Sequence, residues 1–143
     1  MGAVRTPVKL TNAIDQALVS RGLLAPRLQR ELETEALVDT GSTYLVIPEK
    51  MAEQLGLRIV AQQVAQFANG QEATVGVTEA IRIECEGRQT TEDALVTGNC
   101  VLVGQVVLEK LDLLVDCKNQ KLIPNPEHPN YPVTYILSLD IQR

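Results

Sequence analysis

The stretch Ala36–Pro48, ALVDTGSTYLVIP, holds the residues of this chain whose types and spacing are most able to do chemistry. An apolar run delivers Asp39 into the turn Thr40-Gly41-Ser42, and the chain turns apolar again at Tyr44–Ile47. A carboxylate flanked by Leu37 and Val38 loses hydration and needs hydrogen bonds to stay ionised. Gly41 permits a sharp turn that brings a backbone N–H close to that carboxylate, and Thr40 and Ser42 add hydroxyls. A carboxylate presented in this way can serve as a general acid or base. The structural alternative is a turn aspartate that satisfies only its own backbone.

Other candidates carry less. A strand followed by Asp-x-Gly-Ser/Thr also describes the phosphate loop of actin-like ATPases and sugar kinases, but that fold needs two lobes and a second phosphate loop, more than 143 residues provide. Leu114-Val115-Asp116 echoes Leu37-Val38-Asp39, yet Asp116 runs into Cys117-Lys118-Asn119, without glycine or hydroxyl, and reads as a hairpin turn residue. His128 sits among prolines in PEHPNYP and reads as a solvated loop residue. Without Gly-x-Ser-x-Gly, and with no histidine near the serines, a serine-hydrolase triad has little support. Three cysteines (Cys85, Cys100 and Cys117) without CxxC spacing, beside one histidine, argue against structural zinc; reduced thiols in a cytoplasmic protein are expected.

The elements that must position Asp39 follow from the pattern around it. Glu31–Val38 alternates, with Leu32, Thr34, Ala36 and Val38 on one face and glutamates on the other, so a half-buried strand leads to the aspartate. Before it, Val4–Leu10 reads as a strand that Pro7 marks as an edge or an irregular one, followed by a short helix capped by Asn12 and stopped at Gly22. After it come a short strand at Tyr44–Ile47 and a helix from Pro48 to Gly56. Leu57–Phe67 and Glu72–Val77 flank Asn69-Gly70, a hairpin signal. Strands are expected at Ala80–Cys85, Thr91–Val96 and Val101–Val103. A helical turn then carries Val107, Leu108 and Leu111, and a hairpin turns around Asp116–Gln120. The tail VTYILSLDI alternates like a further strand. Many short strands with two or three short helices make a mainly β chain of 1–143 as one domain.

In that order, the pieces resemble the retroviral-type (retropepsin-like) aspartic proteases, in particular small stand-alone prokaryotic members. The resemblance covers about Glu31 to Pro126. It rests on the strand-borne triplet Asp39-Thr40-Gly41 with Ser42, on YLVIP and a helix ending LGL, and on the hairpin QFANGQEATVGV where the family has its flap. IRIECEGRQTTEDALV follows, then VLVG and the helix in VVLEKLDLLVD. The resemblance implies an all-β, closed barrel with a flap hairpin and an aspartic endopeptidase that works as a homodimer, one Asp39 per subunit activating a water. Two close carboxylates can share one proton because both cannot ionise cheaply.

It further implies Asp39, Thr40 and Gly41 as catalytic residues, with Thr40 bonding across the dimer axis. Ser42 would support the ionised carboxylate. Phe67, Ala68, Asn69, Gly70 and Gln71 would form the flap tip, and Val101, Leu102, Val103 and Gly104 the floor beside the aspartate. The flap's single tip glycine and the first 30 residues depart from the viral pattern. The alternative from another class is a retropepsin-like dimer that binds peptides without turnover.

The remaining expectations come from composition. Lys+Arg 13 against Asp+Glu 18 gives a net charge of −5, which argues against a nucleic-acid partner. Aromatics are 3%, so Leu, Val and Ile must build the core. No apolar run is long enough to span a bilayer and the N-terminal residues lack a secretory-signal pattern, so no membrane association and a cytoplasmic location are expected. No metal and no organic cofactor is implied; the partners expected are a peptide or protein substrate and a second copy of the chain.

Overall fold

The structure, a computed structural model, describes residues 3–136. Its strands in chain order are β1 (Arg5–Asn12), β2 (Glu31–Val38), β3 (Leu45–Ile47), β4 (Ile59–Gln66), β5 (Glu72–Thr78), β6 (Ile81–Cys85), β7 (Arg88–Glu92), β8 (Ala94–Val96), β9 (Val101–Val103), β10 (Leu113–Asp116) and β11 (Lys121–Pro124). The helices are α1 (Ala13–Ser20), α2 (Glu49–Gln54) and α3 (Gln105–Leu111), with a 3-10 turn at Pro26–Leu28. No helix among the described residues is long and apolar enough to cross a membrane.

Nine strands form one sheet in the order β4-β5-β8-β3-β9-β2-β1-β6-β7, and β10 and β11 form a separate pair. The sheet ends on β4 and β7, which are not paired with each other, so the barrel closure expected from the resemblance is corrected to an open sheet. Val8, Leu10, Leu45, Ile47, Ile81, Ile83, Val101, Val103, Val107 and Leu111 meet in a single apolar cluster. Branched aliphatic residues fill it, as expected for a chain so poor in aromatics.

Strand β1 corrects the edge alternative for Val4–Leu10. It pairs with β2 on one side and β6 on the other, and is therefore interior. The Val4 carbonyl accepts from the Val38 N–H, and the Asn12 N–H donates to the Arg30 carbonyl. Even-numbered residues thus bond toward β2 and odd-numbered ones toward β6. Pro7 faces the β6 flank beyond its last pair, Val8 with Cys85, where no ladder partner waits for the N–H that proline lacks.

The expected strand Thr91–Val96 breaks at Asp93. Its first part belongs to β7, paired with β6 around Glu86-Gly87, both at positive φ, as a two-residue hairpin requires. Its second part, β8, runs parallel to β3 and antiparallel to β5. At the tail, residues 133–136 carry no regular structure, and the rest of the expected strand lies outside the described residues.

A buried polar cluster ties the start of the chain to α2. Asn12 caps α1 by accepting from the Asp15 N–H at 3.0 Å, and its own amide donates to the Leu55 carbonyl at 2.8 Å. Asp15, also buried, receives the Arg30 backbone N–H and two guanidinium N–H groups at 2.9–3.0 Å. The Arg30 guanidinium lies against Gly56, which has φ +64°, in space that any larger residue at 56 would fill.

Candidate active site

Two parallel strands carry Asp39 into place. Val38 pairs with Val103, and the Asp39 N–H donates to the Val103 carbonyl at 3.0 Å, so the aspartate emerges just past the end of β9. Its side chain is half-buried and fully engaged by its own loop. The Gly41 N–H donates to Oδ1 at 3.0 Å and the Ser42 hydroxyl to Oδ2 at 2.8 Å, while the Ser42 N–H closes the turn on the Asp39 carbonyl at 3.1 Å. Both carboxylate oxygens thus hold a donor from the loop itself. A Cβ at position 41 would meet Oδ1 at 3.3 Å, which is why the small residue belongs there.

The loop is held from behind by α3. The N–H groups of Gln105 and Val106, which lack partners within the helix, donate to the Ser42 and Thr43 carbonyls at 2.8 and 3.0 Å. Gly104, just before them, lets the two backbones approach.

A cleft of about 310 Å³ opens beside Gly41 and Ser42. Its far wall is β4 from Gln63 to Gln66 with Phe67. Its floor is a row of apolar side chains from three adjacent strands: Leu95 is paired with Val46, and Val46 with Leu102. No charged residue lines it. Sequence reading missed Val46, Leu95 and the β4 residues because cross-strand neighbours are set by register; the run Leu57–Phe67 ahead of Asn69-Gly70 was the one signal, and it marked a hairpin without saying which face meets the cleft.

The residues singled out from the sequence do not all meet at the cleft. Gly41, Ser42, Phe67 and Leu102 line the cleft. Ala68, Asn69, Gly70 and Gln71 are exposed in the β4–β5 turn, where the Asn69 carboxamide accepts from the Gln71 N–H at 2.9 Å and Gly70 has φ +84°. Val101 and Val103 are fully buried in the core, because alternation along β9 sends only Leu102 to the cleft side. Gly104 supports the loop from below and lines no part of the cleft. Thr40 is exposed and faces a second groove, of about 310 Å³, walled by α3 and β10 with Leu108, Leu113 and the exposed Leu114.

Asp116 accepts from the Asn119 N–H and side-chain amide at 3.1 and 2.8 Å, the self-contained turn expected. His128 is corrected: its side chain is only 17% exposed, and Nδ1 lies 2.6 Å from Asp112 Oδ2. All three cysteines are free, with Cys85 buried and Cys117 exposed. Among the described residues no three His, Cys, Asp or Glu side chains converge as a metal site would need.

This fold and this presented aspartate define the retropepsin-like aspartic protease class. Residues 29–115, more than half of the chain, match the aspartyl protease family, and the chain belongs to it. Among solved structures it is similar to the retroviral protease-like domain of Ddi1 from Leishmania major, with a TM-score of 0.57 and 16% identity over 97% of this chain and 99% of that one. At that identity the likeness speaks for the fold. No curated protein matches the chain.

Proposed function

We propose that the protein is an aspartic endopeptidase in which two copies each contribute one Asp39, and that a water held between the two carboxylates attacks the peptide bond. The observation that carries this reading is the pair of donors on Asp39: Gly41 N–H and Ser42 Oγ, from residues that themselves line the cleft, hold the carboxylate in place while leaving it half-exposed. A lone carboxylate can act as base on water but leaves no acid for the scissile carbonyl oxygen. A second Asp39 supplies it, because of two acids in close approach one retains a proton.

Two features support the association of copies. Thr40 is exposed at the end of the loop, and the groove beside it has an apolar wall that includes Leu114, 44% exposed. Extended peptide fits the cleft, whose wall is the edge strand β4, paired only with β5 in the sheet order and so able to accept backbone hydrogen bonding from a chain laid alongside. The β4–β5 hairpin, turning at Asn69-Gly70, would cover the bound chain as a flap and exclude water.

The test is cleavage of a peptide library by the purified full chain between pH 4 and 7, with sedimentation on the same sample. Cleavage by a dimer that Asp39→Asn abolishes is the expected result. A protein that binds the library without cutting it under any of these conditions is the non-catalytic module instead. A strict monomer at high concentration removes the shared dyad.

A further inference from the structure

The C-terminal segment is fastened to the end of α3 by a polar cluster that the peptidase reading does not use. Asp112, the residue after α3, adopts φ 54° and ψ 53°, a left-handed conformation uncommon outside glycine and asparagine. Its Oδ1 accepts from the Asn125 side-chain amide at 3.1 Å. Its Oδ2 accepts from the Val133 N–H at 3.1 Å and lies 2.6 Å from His128 Nδ1. The Asn125 N–H donates to the Asp112 carbonyl at 3.0 Å. From β7, the buried Arg88 guanidinium donates to the Leu111 and Asp112 carbonyls at 2.9 Å and to that of His128. Residues 125–133 therefore form a strap anchored by a side-chain clasp and by a buried cation on the last carbonyls of the helix.

The opposite end of that helix holds the active-site loop, through the N–H groups of Gln105 and Val106 on Ser42 and Thr43. With seven residues, α3 is a rod of about 10 Å. We infer that Asp112 is a positioning residue for Asp39: by clasping the strap it fixes the C-terminal end of α3, and α3 in turn fixes the loop that presents the carboxylate. Burial works against the Asp112 carboxylate, yet the bonds from Asn125, Val133 and His128 hold its pKa below the ordinary carboxylate range, which fits a carboxylate kept charged for this clasp. The effect on turnover rests on the peptidase reading; the mechanical link does not.

Amide hydrogen exchange on the full chain tests the link independently of activity. In Asp112→Ala the amides of Asn125 and Val133 should exchange faster, and with them those of Gln105, Val106 and Ser42, each by at least tenfold, while Leu10 and Ile83 keep the parent rates. His128→Ala should do the same to a lesser degree, and His128→Asn, whose amide replaces the Nδ1 donor, should restore the parent pattern. Faster exchange in the strap with parent rates at Gln105 and Val106 overturns the inference. If Asp112→Ala does not fold, the two His128 variants decide it by the same criterion. Where the parent cleaves peptide, Asp112→Ala should lower kcat by about tenfold with KM little changed, the signature of a misplaced reacting group. A parent that cleaves nothing removes the peptidase reading and leaves the exchange result to stand alone.

Discussion

The Cα of Gly104 packs so tightly beneath Ser42 that a methyl group on it would stand 2.6 Å from the Ser42 carbonyl oxygen and 2.7 Å from that of Tyr44. Both contacts are to backbone, which cannot rotate away as a side chain would. Gly104→Ala should therefore displace the loop or the start of α3, costing about 1–3 kcal/mol of stability, typical of overpacking. Urea unfolding measures this. Peptide cleavage should fall by more than the loss of folded protein accounts for, since the displaced segment carries Asp39.

The apolar row Leu95–Val46–Leu102 along the cleft floor makes a prediction about selectivity. Leu102→Ala removes the side chain at one end of that row, on the side facing the cleft. For a peptide with a large apolar residue at the scissile bond, kcat/KM should drop roughly tenfold relative to one with alanine there, the size of effect that lost methylene contacts give. An equal fall for both peptides would place Leu102 outside the contact.

Stability should depend on acid through Asp15. The Arg30 side chain bonded to its carboxylate holds the Asp15 pKa below the usual range, against the opposing effect of burial. A carboxylate whose pKa is lower folded than unfolded contributes stability that is present above the unfolded value, about 3.9, and is lost as pH falls through the folded value. Between pH 7 and 5 this contribution should be constant, and below about pH 4 it should disappear. Asp112 and Asp116 act in the same direction. Asp15→Asn should be less stable than the parent at pH 7, and the gap should narrow as the pH is taken to 3.

Much of this architecture is written locally. Glu31–Val38 forms the strand its alternation predicts, Asn12 caps α1, Gly22 and Gly56 end their helices at positive φ, and Asn69-Gly70 turns a hairpin. Each of these depends on residues within a few positions. The Asp39 loop was legible for the same reason: a carboxylate, a glycine and a hydroxyl in sequence are enough to satisfy one another.

What escaped the sequence depends on distant partners. Pro7 suggests an edge strand, and only the place where β6 stops makes it harmless inside the sheet. His128 looks solvated among prolines until α3 brings Asp112 to it from 16 residues away. The break at Asp93, which sends two halves of one apparent strand to opposite regions of the sheet, has no marker as strong as glycine or proline. The cleft floor is a matter of register across β8, β3 and β9, which no periodicity within one strand reveals.

The interior position of β1 has a consequence for biogenesis. As the chain leaves the ribosome, β1 can zip to β2 once residue 38 is free, but its other flank must wait for Ile81–Cys85. Through that interval one row of amides and carbonyls stays open on a half-made hairpin, the kind of unpaired edge at which nascent chains stick to one another. Slowing translation after residue 38 should accordingly lengthen the protein's dependence on chaperones, whereas a pause after Cys85 should matter far less.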